Sequence, residues 1–283
     1  MINDKPLTLI TGASGKTGSR IAAMLQNQDY PVRLAVRKKS ASDLDDNQVH
    51  FDWYDSSTYA AALKNVDHVY LVVPILDMNP EDVMIPFIKE AVWGGVKRLV
   101  LLGSASVGED GPVFGKVHQT LKQLAPEWAV LQPSYFMENF TEGPHRMTME
   151  QQGEIYSATS EGRVGFVSAD DIAAVAFHAL TDKEPHNTEH IITGPEALSY
   201  GQVADIFSRV LQKTIHYRPL TDEALTRGML ESGMPTEYAT FLAGLDRRIR
   251  EEGTEDQTTD TVKNVTGRDP ISLEQLITMH VQV

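Results

Sequence analysis

Short apolar runs alternate with amphipathic stretches through the first half of the chain, and the two periodicities predict different elements. Leu7-Thr8-Leu9-Ile10-Thr11 is brief, β-branched and closes on glycine, as a strand buried on both faces does. Ile21, Ala22, Met24 and Leu25 then recur at helical spacing and place an apolar stripe along one side of a helix. Runs at 32–36, 49–52, 68–73, 96–102 and 128–133 read as further strands, with helical patterns over 80–93 and 114–124. Strands and helices in alternation predict an α/β fold with a doubly wound parallel sheet. Right-handed crossovers then bring the strand carboxyl ends, marked by Gly12, Arg37, Pro74, Ser104 and Pro133, to one rim where ligands collect.

After Ser134 the rhythm changes. Tyr135-Phe136-Met137-Glu138-Asn139-Phe140 is rich in aromatics and follows the sixth strand. Residues 164–168 read as a strand, and Asp170 or Asp171 as the N-cap of a helix whose Ile172, Val175, Ala176 and Ala179 share a face. A strand at 191–193, a helix over 200–211, a strand at 215–217 and helical segments to Arg250 follow. The acidic, threonine-rich stretch 251–261 reads as an exposed link to a last helix near 272–280. The division expected is a nucleotide-binding core over 1–133 and a smaller α+β substrate lobe over 134–283, with segments returning to the core.

Composition narrows the chemistry. Without cysteine, disulfides, thiolate catalysis and thiolate metal sites are excluded together. The 25 basic against 39 acidic side chains give a net charge of −14, which repels phosphate backbones, so no nucleic-acid partner is expected. No apolar run has the length of a membrane span, and the polar start leading straight into a strand gives no signal peptide, so the expected location is the cytoplasm. The histidines show no His-Glu-x-x-His spacing; they are expected on the surface, and no metal site is expected.

Gly12-Ala13-Ser14-Gly15-Lys16-Thr17-Gly18 stands directly after the first strand and directly before the amphipathic helix. Gly12 suits the tight turn, Gly15 the close approach of a diphosphate to backbone N–H groups, and Gly18 the packing of helix on strand. Ser14, Lys16 and Thr17 complete the cradle. At the end of the second strand, where an acidic residue would favour NAD, the chain has Arg37-Lys38-Lys39, and a guanidinium suits a 2′-phosphate. The cofactor inferred is NADP(H). Asp52, after the third strand, suits either the adenine amino group or a cap on the next helix. Val73 and Pro74 end the fourth strand and leave backbone against the cofactor, Ser104 ends the fifth, and Pro133 ends the sixth.

The first 133 residues resemble the NmrA-like group of atypical short-chain dehydrogenase/reductases. Phe51-Asp52-Trp53, residues 69–72, 133–140, 155–159 and 166–172 further resemble the ergot-alkaloid reductases called festuclavine or agroclavine dehydrogenases. The resemblance implies a Rossmann-type domain with a small substrate lobe, NADPH, and reduction of a C=N or conjugated C=C bond. The wider family carries a tyrosine and, four residues later, a lysine, where the phenol gives a proton and the ammonium lowers its pKa. This chain has Phe114 and His118 at those positions, so that dyad is missing.

The leading expectation is an NADPH-dependent reductase of an imine or iminium, enone or quinone-like molecule, a cationic electrophile among them. Tyr135, Phe136, Asn139 and Phe114 are the substrate-contact candidates. Where a proton is needed, Tyr135, Ser104 or His118 is the candidate donor; Tyr135 also reads as substrate contact or packing, and His118 as a surface helix position. The alternative is a non-catalytic, NADP(H)-sensing regulator that binds a partner protein.

Overall fold

Seven strands form the main sheet in a computed structural model that describes residues 5–37 and 44–281. Lys38 and Lys39 of the basic cluster lie outside the described residues. The strands are β1 (Thr8–Ile10), β2 (Val32–Val36), β3 (Gln48–His50), β4 (His68–Val72), β5 (Arg98–Leu102), β6 (Glu127–Pro133) and β9 (Thr188–Ile192). Their order is β3-β2-β1-β4-β5-β6-β9, with the pairs β1–β2, β2–β3, β1–β4, β4–β5 and β5–β6 parallel. The reversal on the two sides of β1 is the topology of a doubly wound Rossmann-type sheet, and the seventh strand extends the six read from the pattern. Helices α1 (Lys16–Asn27), α2 (Tyr59–Leu63), α3 (Glu81–Trp93), α4 (Gly115–Leu124) and α7 (Ala169–Thr181) join these strands.

Two compact units divide the chain: Met1–Gln132 with Ile172–His190, and Pro133–Asp171 with Ile191–Val283. In the first, Leu9, Val69, Leu71, Leu99 and Leu101 meet Met84, Phe87, Ile88 and Ala91 of α3 and Val117 and Leu121 of α4 in one buried cluster. The Phe51 and Trp53 of the resemblance motif belong to this core, with ring centroids 4.8 Å apart and Phe51 5.4 Å from Phe87. Arg98 is 4% exposed and ties β5 to the returning segment. Its guanidinium donates to the carbonyls of Ala179 at 3.3 Å and Asp182 at 2.8 Å, and to Glu127 at 2.7 Å.

His68, on β4, corrects the expectation of surface histidines: it is 8% exposed. Burial first, and the Arg98 charge second, hold its imidazole down at about 4. An unfolded histidine titrates near ~6.5, so between these values the folded state binds fewer protons, and stability falls as pH drops through that window, by on the order of 3 kcal/mol from this group. Urea midpoints at pH 7 and pH 4.5 should differ accordingly. The difference should shrink in His68→Gln, and an unchanged pH slope in that variant would remove His68 as its source.

The second unit contains α5 (Glu138–Thr141), α6 (Pro144–Gln152), β7 (Glu154–Ser157), β8 (Arg163–Val164), β10 (Leu198–Ser199), α8 (Tyr200–Leu211), β11 (His216–Pro219), α9 (Asp222–Glu231), α10 (Thr236–Glu252), α11 (Thr261–Thr266) and α12 (Leu273–Val281). β7 pairs with β11 in parallel, and β8 with β10 antiparallel. The strand expected at 164–168 shrinks to β8 plus a single bridge between Phe136 and Val167. Met137, Phe140, Ile155, Phe166, Tyr200, Val203, Phe207 and Leu276 build the core.

Two acidic readings change here. Asp171 does not cap: Ser168 Oγ accepts its backbone N–H at 3.0 Å. Its carboxylate, fully buried, accepts from Arg268 at 2.5 Å and from the Ile271 N–H at 2.8 Å. The stretch 251–261 is not simply exposed either, because Glu255 is fully buried and accepts from the Ser134 hydroxyl at 2.6 Å, while its carbonyl accepts the Gly165 N–H at 3.1 Å. A carboxylate taken out of water must be hydrogen-bonded, and both acids meet that condition with partners distant in sequence.

Candidate functional site

The glycine turn opens where β1 ends. Gly12 has φ +63°, a left-handed conformation that disfavours side chains, and an added Cβ would lie 3.1 Å from Val72. Gly15 is the N-cap of α1, with ordinary extended angles, and donates its N–H to the Gly12 carbonyl at 2.9 Å. A Cβ on Gly18 would come within 2.3 Å of the Gly12 oxygen, so Gly18 serves packing. Gly12, Ser14 and Gly15 are exposed. The start of α1 has no side-chain cap and no acidic residue in its first turn, so its positive end faces outward over small residues. That cradle fits a diphosphate.

Thr17 departs from the expected role, because it is 4% exposed and its hydroxyl accepts from the Tyr70 phenol at 3.0 Å. Lys16 is half-buried on the first turn, and Arg37 is exposed immediately after β2. Asp52 does not cap the following turn: Asp55 does, accepting the Ser57 N–H at 3.1 Å. The Asp52 carboxylate accepts the Tyr54 N–H at 3.0 Å, which fixes its orientation just beyond β3. Val73 is half-buried and Pro74 buried past the end of β4, where the Val72 N–H is held by Thr11 Oγ at 2.8 Å. Ser104 is half-buried beyond β5 and accepts the Ser106 N–H at 3.3 Å. Pro133 is buried at the end of β6.

At the dyad positions the structure places a half-buried Phe114 and a buried His118, not the surface histidine expected. Burial lowers the His118 pKa against the pull of Glu189 and Glu109. His118 Nε2 lies 3.3 Å from Glu189. Glu109, His118 and Glu189 approach closely enough to hold a cation, and the Lys122 ammonium already serves there, 2.9 Å from Glu109 and 3.0 Å from Glu189. A neutral, enclosed imidazole tied to this network is poorly suited to proton delivery.

In the second unit the segment after β6 is pinned by backbone bonds: the Val167 N–H donates to the Tyr135 carbonyl and the Met137 N–H to the Val167 carbonyl, each at 2.9 Å. Tyr135, Phe136 and Asn139 are half-buried. The Tyr135 ring meets Phe166 edge-on at 6.5 Å, and Asp246, buried on α10, accepts the Ala158 N–H at 2.9 Å. Tyr200 stacks on Tyr217 at 6.0 Å nearby. The reading of the sequence missed Asp246, although Ala239, Ala243, Asp246 and Ile249 fall on one face of α10 by helical spacing, a signal that the acid points inward.

Comparison with known proteins agrees with this architecture. An oxidoreductase of Bacillus subtilis (strain 168), YesF, described as uncharacterized, is 44% identical over 280 residues, covering 99% of this chain and 96% of its own. Agroclavine dehydrogenase of Claviceps fusiformis is 39% identical over 272 residues, 93% of each chain. Among solved structures, an NADPH-dependent quinone oxidoreductase of Escherichia coli, complexed with NADPH, superimposes with a TM-score of 0.80 at 19% identity, covering 98% of this chain and 100% of that one. Among the described residues no helix is long and apolar enough to cross a membrane. The model of the NmrA-like family matches residues 4–274, and with these relatives aligned over nearly their whole length the chain belongs to that family and stands among its oxidoreductases.

Proposed function

We propose that the protein is an NADPH-dependent reductase that delivers hydride to a small electrophile of the imine or iminium, enone or quinone class. The observation that carries the reading is the open glycine turn running into an uncapped helix start, with Arg37 exposed at the end of the neighbouring strand. Gly12, Ser14, Gly15 and the first turn of α1 would hold the diphosphate, and Arg37 the 2′-phosphate. Bound there, a reduced nicotinamide supplies a hydride.

Two sets of relatives support the electrophile class. The Claviceps relative is named agroclavine dehydrogenase, and the Escherichia coli neighbour an NADPH-dependent quinone oxidoreductase. An iminium carbon is already cationic and accepts hydride without an acid, which fits a chain with Phe114 in place of the family's phenol. The acidic surface, at net charge −14, favours the approach of cations at low salt.

Purified protein, NADPH and a panel of cyclic iminium ions, enones and quinones, followed at the nicotinamide absorbance, tests the proposal. Turnover of at least one class is expected. Tight NADPH binding with no turnover of any member would sink it. Arg37→Asp should reverse the coenzyme preference, lowering NADPH affinity by ~10-fold or more, because a bidentate phosphate contact becomes a repulsion. Isothermal titration with both coenzymes reads this directly, and an unchanged NADPH:NADH ratio would contradict the role of Arg37.

A further inference from the structure

Three residues from separate elements converge within the first unit. His118 on α4, Glu109 in the loop before that helix and Glu189 on β9 bring one imidazole nitrogen and two carboxylate oxygens within 4.8 Å of one another. No spacing in the sequence announces them. The loop is pinned to α4 by Gln119, which donates to the Glu109 carbonyl at 3.0 Å and to Asp110 at 3.1 Å, and this keeps Glu109 beside the helix.

The imidazole is the member that nothing else explains. His118 is 2% exposed, and its Nε2 is buried without a hydrogen-bond partner among the described residues; Glu189 stands 3.3 Å away but out of hydrogen-bond alignment. A polar atom buried in this way costs free energy unless something pairs with it. Lys122, one turn along α4, shows that a positive charge belongs at this point. Its ammonium lies 2.9 Å from Glu109 and 3.0 Å from Glu189, yet it leaves the histidine nitrogen unpartnered.

We propose that Glu109, His118 and Glu189 form a zinc site, which the ion enters by displacing the Lys122 ammonium, and that the bound ion clasps the loop before α4 to β9. One imidazole nitrogen and two carboxylates suit zinc, whereas calcium and magnesium favour oxygen ligands alone. The 3.3 Å between His118 Nε2 and the Glu189 oxygen is close to the edge of a tetrahedron whose ligand bonds are ~2.0–2.2 Å. Water can take the fourth corner. Charge points the same way, because two carboxylates and a neutral imidazole balance a dication, while the lysine neutralises only one of the acids. Its flexible stem, on a side chain 30% exposed, lets the displaced ammonium turn out to water. The two glutamates are also partly exposed and free to close on the ion.

Such a clasp acts on stability rather than on the coenzyme. It would fasten the loop between Ser104 and Phe114, and the late strand β9, to α4 through one centre. Anything that binds only the folded chain raises its stability.

Titration calorimetry with zinc chloride on the full chain, first stripped of metal by a chelator, tests the site. One ion per chain is expected, together with a melting temperature that rises as zinc is added. His118→Gln should weaken binding by at least ~100-fold, the upper end of what losing even an outer partner of a metal ligand costs, and should abolish the rise. Lys122→Met should tighten binding by about tenfold, because the competing ammonium and its two ion pairs are gone. A lysine with a merely structural role would give no such gain. Absence of zinc binding, or an affinity in Lys122→Met no higher than in the wild-type protein, overturns the proposal. Undiminished binding in His118→Gln overturns it as well; loss of that binding in His186→Gln would place the ion on the cluster of Asp182, His186 and His190, whose polar atoms lie 2.8 and 3.2 Å apart. Should His118→Gln fail to fold, Glu189→Gln on the exposed side decides, and wild-type affinity in that variant rejects the site.

Discussion

Gly15→Asp should abolish measurable NADPH binding while leaving the protein folded and no less stable. The two effects separate because of the geometry at this position. Gly15 has φ −78° and ψ 171°, angles open to any residue, and it is the N-cap of α1 without a side-chain cap of its own. An aspartate there is a favourable cap and complements the helix dipole, worth ~0.5–2 kcal/mol. The added Cβ would stand 3.1 Å from the Gly12 carbonyl, which requires a small shift of the turn. The same carboxylate projects into the cradle meant for a diphosphate, where crowding and like-charge repulsion together should weaken binding by at least ~100-fold, about 2.7 kcal/mol. Calorimetric titration and a melting curve on the same sample read both quantities. Gly18→Ala is the contrast: its Cβ would meet the Gly12 oxygen at 2.3 Å, so stability and binding should be lost together. Retained nucleotide affinity in Gly15→Asp would show that the turn is not the phosphate site.

Arg98→Met should lower stability by about 3 kcal/mol, a large fraction of the ~5–15 kcal/mol that holds most domains together. Truncation leaves the Ala179 and Asp182 carbonyls without their shared donor, and Glu127 without its cation. The carbonyls dominate the loss, because the Glu127 side chain is 32% exposed and can turn to water. Glu127→Gln should therefore cost under ~1 kcal/mol. The urea midpoint should move in both variants with an unchanged m value. Equal losses in the two variants would mean that the ion pair, rather than the carbonyl contacts, is what Arg98 contributes.

The strands, the alternation with helices and the glycine turn were legible in the sequence because each is a local pattern. Leu9, Ile21 and Gly18 announce their roles within a few neighbours. The buried acids are different. Asp171, Asp246 and Glu255 resemble the solvated acids around them, and their partners are Arg268, Ala158 and Ser134, separated from them by 97, 88 and 121 positions. No window of sequence contains both ends of such a contact. His118 was misjudged for a related reason: helical spacing alone does not say which polar residue on a half-apolar helix turns inward, and Glu189 reaches it from β9. Agroclavine dehydrogenase-like segments such as Phe51-Asp52-Trp53 were recognisable, yet the structure gives their aromatics to the core, so their value lies in marking kinship rather than chemistry.

The first unit is discontinuous, since Ile172–His190 reaches it only after residues 133–171 have emerged. On a ribosome, the nascent amino-terminal portion must wait, with the Arg98 acceptors at Ala179 and Asp182 unmade and the flank of β6 lacking β9. A prematurely terminated product ending near Pro133 would therefore present an open strand border to other chains, a template for self-association. Truncation for crystallography or engineering should accordingly keep that late-arriving stretch.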